Sequence, residues 1–403
     1  MVPEVSLTGL VVVAAVAFAA PMLLGLAPRL RLPAVVLEIL AGIAIGPSGL
    51  NWVQPDVAIE VLGLLGLAML LFLAGMEIEP ERFRGRLLKV ALVGFVTSIV
   101  AGLALGLALR TIGFVGSPIL FAIALSATSL GLVIPVLKDS RQAETQLGQL
   151  VISASSIADF GAVILLSLLF SGEGSGPGAT VILLGGFAML AVVIGLALAG
   201  AGRSMRISQT LLRLQDTTAE IRVRGAILLM VGFAALAEGL GLEVILAAFI
   251  AGAVLKLVDR DVMLTHPNFR LKLEAIGYGF VIPVFFVSSG LRFDAAALFE
   301  SASSLARVPV FLAALLLVRG LPALAYRSIV GRRGALAAAL LQATSLPFIV
   351  AATQIGLELG AVSETNAAAL VGAGLLSVIV FPLSALGILK GTMPAQPSET
   401  VPA

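Results

Sequence analysis

The chain has few of the side chains on which enzyme chemistry usually depends. Its 403 residues include no cysteine and a single histidine, His266. Without cysteine there is no disulfide, no thiol nucleophile and no thiolate metal site, and one histidine cannot supply a zinc centre. Charged residues make up 12% of the chain, whereas soluble domains carry about 25%. We therefore expect no enzyme and no resident cofactor or metal ion.

What the chain contains instead is long hydrophobic sequence. Hydrophobic residues make up 59% of it, and the mean hydropathy is +1.12, which is typical of an integral membrane protein. The first apolar run, from Val5 to Ala27, is long enough to span a membrane and is followed by Arg29 and Arg31. It is therefore predicted to be a membrane helix and not a cleaved signal. Residues 391–403 are polar and contain proline, and are predicted to form a disordered cytoplasmic tail.

Apolar stretches of about twenty residues, the length of a membrane helix, recur along the whole chain. Separated by charged or polar loops, they predict an all-α membrane protein with about thirteen transmembrane helices. The predicted spans are 5–28, 33–51, 57–77, 88–110, 116–137, 146–170, 179–202, 222–240, 242–257, 273–291, 304–327, 333–357 and 366–390.

The placement of basic residues orients these spans. With the N-terminus outside, only Arg110, Arg292 and Arg307 fall in outer loops and Arg319 lies within a span, while every other lysine and arginine lies on the inner side. Because cytoplasmic loops carry an excess of Lys and Arg, we predict an N-out, C-in protein of the inner (plasma) membrane.

Three sequence patterns recur at similar spacing. The matching pairs are 127–130 with 343–346, 37–46 with 242–252, and 72–79 with 287–294. The first unit begins in span two and the second in span nine, so the two halves cross the membrane in opposite directions. We predict a single transporter unit over 1–390, with inverted repeats at about 33–170 and 242–390. The segment 203–222 is predicted to be an amphipathic connector, with an ordinary solvated linker as the alternative.

The pair of Ala-Thr-Ser-Leu stretches predicts two broken helices. Each stretch combines hydroxyl side chains with nearby helix breakers: Thr128 and Ser129 with Gly131 and Pro135, and Thr344 and Ser345 with Pro347. At mid-membrane depth this combination favours unwound backbone, whose carbonyl groups and helix ends can bind a cation. The alternative is a pair of kinked helices.

Asp159 is the side chain with the strongest functional signal. It lies about fourteen residues into span six, roughly 20 Å along a helix, where a carboxylate costs at least ~2.5–3.5 kcal/mol and usually has a task. Ser155 and Ser156 precede it by four and three positions, so one or both lie on its helix face. Together they suit a monovalent cation. The alternative is that Asp159 only holds helices together by hydrogen bonds.

Other charged residues have weaker signals. Arg319 is the only base at mid-membrane depth; because it keeps its proton, it can balance charge but cannot carry protons. Five glutamates fall near predicted span ends, which predicts interfacial or loop contacts: Glu38, Glu77, Glu79, Glu238 and Glu243.

In this order and spacing, the residues resemble the monovalent cation:proton antiporter superfamily, particularly its Kef-like and NapA-like membrane domains. The resemblance covers nearly all of residues 5–390. Its motifs are Gly42–Leu50, Leu71–Gly75, the Ala-Thr-Ser stretch at 127–129, Asp159, Gly241–Gly252, Pro283–Gly290 and the base Arg319.

The resemblance implies the NhaA/NapA-like antiporter fold, with thirteen helices, a mobile core domain crossed by two discontinuous helices, a dimerisation domain and elevator-like alternating access. It also implies that Asp159 binds cation and proton competitively. Two positions depart from the family pattern: Ala158 replaces the usual Asp, Asn or Gln, and Arg319 stands where electrogenic members have Lys. One titratable carboxylate beside a base that stays charged predicts electroneutral exchange of one proton per cation.

We therefore predict a homodimeric secondary antiporter that exchanges Na⁺, K⁺ or Li⁺ for protons and has no nucleic-acid partner. Its predicted cation and proton ligands are Asp159, Ser155, Ser156, Thr128 and Ser129, with Arg319 balancing charge and Thr344 and Ser345 supporting the crossing. The alternative is a cation-coupled symporter of an organic anion on the same fold. The sparse polar residues at the crossing disfavour it.

Overall fold

The structure is a computed structural model whose regular elements are all helical in the part that it describes, which confirms the all-α class. The described residues are 7–26, 33–76, 85–170, 185–187, 189–197, 200, 213, 217–240, 242, 244–258, 267–299 and 301–390. Part of predicted span seven, most of the predicted connector at 203–222 and the whole predicted tail at 391–403 lie outside them.

Sixteen α-helices of the described part of the chain are numbered in chain order, and a further helical stretch at Gly185–Ala197 is left unnumbered. They are α1 Leu7–Leu26, α2 Ala34–Ile45, α3 Val57–Met76, α4 Gly85–Thr111, α5 Pro118–Ser126, α6 Leu130–Asp139, α7 Gln146–Phe170, α8 Ile221–Gly239, α9 Val244–Val258, α10 Pro267–Ile276, α11 Ile282–Leu291, α12 Ala295–Phe299, α13 Ala302–Ala323, α14 Arg327–Gln342, α15 Pro347–Glu358 and α16 Glu364–Lys390. A π-helical turn, Gly277–Val281, joins α10 to α11, and a 3₁₀ turn, Leu324–Tyr326, joins α13 to α14.

Within the described residues, seven helical stretches are long and apolar enough to cross a membrane. One of them, Ala302–Glu358, covers two of the predicted spans. Predicted span five is instead made of two short helices, α5 with 9 residues and α6 with 10. The chain is thus a multi-pass membrane protein, while the count of thirteen spans and the orientation stay predictions.

The chain divides into two compact units. Unit 1 comprises Met1–Glu81, Phe160–Ser304 and Gln354–Ala368, and unit 2 comprises Arg82–Asp159, Leu305–Thr353 and Ala369–Ala403. Each predicted repeat, about 33–170 and 242–390, contributes to both units. Unit 2 contains both Ala-Thr-Ser-Leu stretches, Asp159 and Arg319, so the predicted site residues fall in one unit.

In unit 1, α2 packs against α11 through two glycines. A methyl group added at Gly42 would collide with the carbonyl oxygen of Val287, and one added at Gly290 would collide with the carbonyl oxygen of Ile39. Backbones this close leave no room for a side chain, which is the packing that small residues permit between membrane helices.

A second pair of unit 1 helices, α3 and α9, repeats this contact. A methyl group at Gly252 would collide with the carbonyl oxygen of Phe72, and one at Gly75 would collide with that of Phe249. The correspondence is residue for residue: Ile39 and Gly42 match Phe249 and Gly252, 210 residues on, and Phe72 and Gly75 match Val287 and Gly290, 215 residues on.

This packing corrects the alignment of the repeats. The sequence pattern pairs Gly46 with Gly252, whereas the contacts pair Gly42 with Gly252, four residues earlier. A shift of four residues is about one helical turn. In a chain rich in Ala, Leu and Gly both alignments place similar residues on the same helix face, so sequence similarity alone does not separate them.

The expectation of a loop contact for Glu38 is wrong, while an interfacial position stays a prediction. Glu38 is in the body of α2 and its side chain is 4% exposed. Glu238, by contrast, is exposed near the end of α8, as expected. The predicted contacts of Glu77, Glu79 and Glu243 lie outside the described residues.

In unit 2, α4 supports the first broken helix by close packing. A methyl group at Gly102 would lie 2.9 Å from the Cα of Ala122, and one at Gly106 would lie 3.1 Å from the Cα of Pro118. The spacing of four residues places both glycines on one face of α4. This face fixes the position of α5 and therefore of the break that follows it.

The glycine contacts of unit 1 predict opposite effects for the same substitution at two sites. Gly42→Ala forces the methyl group into the Val287 carbonyl, and we expect a loss of roughly 1–3 kcal/mol of stability, as for other overpacked sites. Gly232→Ala adds a methyl group on α8 with no atom within 4 Å, so we expect no loss and a gain of up to ~1 kcal/mol from helix propensity.

Thermal unfolding of both variants in detergent compares them directly. An unchanged or raised midpoint for Gly42→Ala would contradict the close α2–α11 contact.

Candidate functional site

The first helix break lies between α5 and α6, at the first Ala-Thr-Ser stretch. Helix α5 ends at Ser126, Ala127 has extended backbone angles, and α6 begins at Leu130. The hydroxyl of Ser126 donates to the carbonyl oxygen of Ile123 at 2.8 Å, which satisfies one carbonyl group of the last turn. The prediction of unwound backbone at this stretch is confirmed.

The second break lies between α14 and α15, at the other copy of the motif. Helix α14 ends at Gln342 and α15 begins at Pro347. Because proline has no backbone N–H and a fixed φ, it is suited to the first position of a helix. Thr344 and Ser345 are fully buried between the two helices.

The two breaks bond directly to each other. The N–H of Ser129 donates to the carbonyl oxygen of Thr344 at 2.9 Å, and the hydroxyl of Thr128 donates to the carbonyl oxygen of Gln342 at 2.7 Å. Each break therefore supplies partners for backbone groups that the other leaves outside a helix. The predicted role of Thr344 in the crossing is played by its carbonyl group, while its hydroxyl donates to Leu340 O at 3.2 Å.

Asp159 of α7 binds the first break. Its side chain is half-buried, and its Oδ1 accepts a hydrogen bond from the N–H of Thr128 at 2.8 Å. A backbone N–H at an unwound helix end is a favourable partner for an anionic carboxylate. The site thus has its one described acid at the point where the helix is interrupted.

The two serines before Asp159 differ in their hydrogen bonding. The hydroxyl of Ser156 donates to the carbonyl oxygen of Ile152 at 2.9 Å, within α7. Ser155 is fully buried, and its Oγ has no hydrogen-bond partner among the described residues. A buried hydroxyl oxygen without a partner, one helical turn before a carboxylate, is available to coordinate a bound cation.

Arg319 of α13 lies inside unit 2, with 1% of its surface exposed. Its Nε and Nη2 donate to the hydroxyl oxygen of Thr128 at 2.9 and 2.7 Å, and its Nη1 donates to the hydroxyl oxygen of Ser98 at 3.3 Å. Through Thr128 the positive charge is placed next to the carbonyl end of α14, where a cation is favoured by the helix dipole.

These contacts use the whole hydrogen-bonding capacity of the Thr128 hydroxyl. A hydroxyl has one proton to donate and two lone pairs to accept with. Its proton goes to Gln342 O, and both lone pairs receive Arg319 N–H groups. The structure therefore places Thr128 at the site but leaves its hydroxyl no lone pair for a cation in this arrangement.

The second break has a counterpart of the Asp159 contact, and its residue was missed in the sequence. The N–H of Ser345 donates to the hydroxyl oxygen of Ser377 on α16 at 3.1 Å, and that hydroxyl lies 3.0 Å from Ser345 O. Ser377 follows Ser345 by 32 residues and Asp159 follows Thr128 by 31. The two contacts are similar but not residue for residue: Thr128 matches Thr344 in the repeated motif, and the motif's offset of 216 residues carries Asp159 to Leu375, two residues before Ser377.

Gln342, Tyr326 and Ser98 are the other participants that the sequence did not single out. The Nε2 of Gln342 donates to the hydroxyl oxygen of Tyr326 at 3.2 Å, and both side chains are buried. Their partners come from distant parts of the chain, so no local pattern marks them. Among the described residues, no group of three or more His, Cys, Asp or Glu side chains could hold a metal ion.

Comparison with known proteins identifies relatives over most of the chain. Residues 14–391 match the family model described as "Sodium/hydrogen exchanger, transmembrane". YjbQ of Bacillus subtilis, named as a candidate Na⁺/H⁺ antiporter, is 31% identical over 98% of this chain, and the chain spans 65% of YjbQ. The Na⁺/H⁺ antiporter of Enterococcus hirae is 29% identical over 66% of this chain and 68% of its own length.

A solved structure resembles the fold. The sodium proton antiporter MjNhaP1 of Methanocaldococcus jannaschii, at pH 8, superimposes with a TM-score of 0.64 at 19% sequence identity. The match covers 95% of this chain and 98% of MjNhaP1. This likeness shows the fold. The match of the family model over residues 14–391 shows that the chain belongs to the transmembrane sodium/hydrogen exchanger family, a family of membrane transporters.

Proposed function

We propose that the protein is a secondary antiporter that exchanges a monovalent cation, Na⁺ or K⁺, for protons. The observation that carries the proposal is the position of Asp159, a half-buried carboxylate bonded to the N–H of an unwound helix end. The names of its relatives support the same chemistry: the Enterococcus hirae protein is a Na⁺/H⁺ antiporter and GerN of Bacillus cereus is a Na⁺/H⁺-K⁺ antiporter.

In the proposed cycle, Asp159 holds either a proton or the cation. The Oγ of Ser155, which has no hydrogen-bond partner among the described residues, is proposed as an additional ligand. Ser156 and Ser129 complete the proposed set of oxygen ligands. The Ser156 hydroxyl donates its proton to Ile152 O, so its lone pairs stay available for a cation. Because the carboxylate has one negative charge, it can neutralise either a proton or a monovalent cation, so the two compete for it.

Thr128 and Arg319 have positioning roles in this proposal. The Thr128 backbone holds Asp159, and its side chain holds Arg319 and the end of α14. Arg319 keeps its charge throughout the cycle, so the only charge that changes at the site is that of Asp159. One proton for one cation, hence electroneutral exchange, is the simplest consequence.

The larger features of the mechanism belong to the same proposal. The matched glycine contacts of α2–α11 and α3–α9 support two inverted repeats. Inverted repeats with crossed helix breaks suit elevator-type alternating access by a homodimer in the plasma membrane. The organic-anion symporter of the alternative prediction would need a larger polar cavity, and no observation favours it.

Reconstitution into liposomes tests the transport activity and its stoichiometry. With an imposed pH gradient, addition of Na⁺, K⁺ or Li⁺ in turn should collapse the gradient for at least one ion without any organic substrate. If the exchange is electroneutral, clamping the membrane potential with valinomycin and K⁺ leaves the initial rate unchanged. A rate that rises when the potential is clamped would contradict the one-to-one stoichiometry.

Asp159→Asn is expected to abolish exchange, because the amide binds neither a proton nor a cation by charge. The matched control is Asp294→Asn, since Asp294 only caps α12 by accepting from the N–H of Ala297 at 2.9 Å, a bond that Asn can also accept. Initial exchange rates in liposomes should fall to background in the first variant and stay near wild type in the second. Exchange retained by Asp159→Asn would refute the proposal.

Thr128→Val tests whether the Thr128 hydroxyl positions Arg319 or binds the cation. The isosteric change leaves the Arg319 N–H groups and the Gln342 carbonyl without their partner, and we expect a loss of stability of about 1.5–3 kcal/mol, the scale of a hydrogen bond to a charged group. Thr128→Ser keeps the hydroxyl and should restore both stability and exchange.

Thermal unfolding and the cation dependence of exchange separate the two roles. A raised half-saturating cation concentration with unchanged stability would instead identify the hydroxyl as a ligand.

A further inference from the structure

Glu38 is a buried acid that the proposed cycle does not use. It lies in the body of α2, in unit 1, with its side chain 4% exposed. The same helix face carries Gly42, one turn further on, which contacts the Val287 carbonyl of α11. The acid therefore lies one helical turn from the closest α2–α11 contact.

Among the described residues, the helices packed against Glu38's own helix offer no compensating charge. The described helices that make the main contacts with α2 are α1 and α11. Their sequences, LTGLVVVAAVAFAAPMLLGL and IPVFFVSSGL, contain no titratable residue. The nearest base in sequence beyond α11 is Arg292, which pairs with Glu60 at 3.2 Å. Within the described residues, no hydrogen bond or ion pair to the Glu38 carboxyl group is present.

The packing itself does not require an acid at this position. In the corrected repeat alignment, Glu38 corresponds to Ala248 of α9, 210 residues on. Ala248 is fully buried, and α9 makes the equivalent glycine contacts with α3. The same helix contact is thus built once with a methyl group and once with a carboxyl group, so the carboxyl group serves something other than packing.

An isolated carboxylate in such a place takes up a proton, because burial without a partner penalises the charged form far more than the neutral acid. We propose that Glu38 is a second proton-binding site of the protein, separate from Asp159, which holds its proton at neutral pH and makes the α2–α11 contact sensitive to alkaline pH. At high pH the lost proton leaves an unpaired charge beside α11, which weakens that contact.

Infrared spectroscopy of the full chain in liposomes, prepared with isotope-labelled glutamate, tests the proposal. The labelled wild type should show a glutamic-acid carbonyl band at neutral pH that disappears on alkaline titration. Glu38→Gln should remove the band. Glu60→Gln, the matched change of an exposed and ion-paired glutamate of unit 1, should leave it. A wild-type spectrum without this band would overturn the proposal, and so would a band that survives Glu38→Gln.

Stability gives a second readout. The midpoint of thermal unfolding of the wild type should fall at alkaline pH, and this fall should be smaller in Glu38→Gln, whose amide stays neutral. If the Gln variant does not fold, Glu38→Ala reproduces the residue of the other repeat and serves in its place. An alkaline fall of equal size in wild type and variant would contradict the pH sensitivity.

The inference stands apart from the proposed antiport. Asp159→Asn should keep the Glu38 band even though it stops exchange. Failure of the antiport assay therefore leaves the band unaffected, and absence of the band leaves the antiport unaffected.

Discussion

The exchange of hydrogen bonds between the two helix breaks is the interaction on which the rest of the site depends. A helix cannot be interrupted within a membrane unless its freed N–H and C=O groups find partners inside the protein. Here each break provides them for the other, through Ser129 with Thr344 and Thr128 with Gln342. The crossing makes unwound backbone tolerable, and the unwound backbone gives Asp159 its N–H partner.

The two breaks share a frame but differ in chemistry. Each has a backbone N–H that binds a side-chain oxygen of the second helix after the break: Asp159 of α7 in one half and Ser377 of α16 in the other. The oxygen at the first break belongs to an acid and the oxygen at the second to a neutral hydroxyl group. Arg319, which donates to Thr128 and Ser98, brings a positive charge to the same break. The repeated helix breaks form the scaffold, and the two charged side chains, which are not repeated, form the candidate site.

Unit 1 also combines a repeated packing contact with one acid that is not repeated. Its α2–α11 and α3–α9 contacts are equivalent glycine-to-carbonyl packings, which need small residues and no charge. Glu38 is the exception, since its counterpart Ala248 shows that the contact forms without it. In each unit, therefore, an acid that the other repeat lacks has a role that helix packing does not explain: Asp159 in unit 2 and Glu38 in unit 1.

The helical class, the helix breaks and Asp159 could be predicted from the sequence. In a membrane protein, the length of an apolar run and the position of a helix breaker determine these features through neighbouring residues alone. Long apolar runs determined the helical class, Thr-Ser pairs followed by proline determined the breaks, and depth along a span singled out Asp159. Tertiary structure alone decided the partners. The hydroxyl of Thr128 accepts from Arg319, Ser377 binds the second break, and Glu38 is buried in the body of α2. Those facts depend on which helices meet and in which register, and in a sequence rich in Ala, Leu and Gly registers one turn apart look alike.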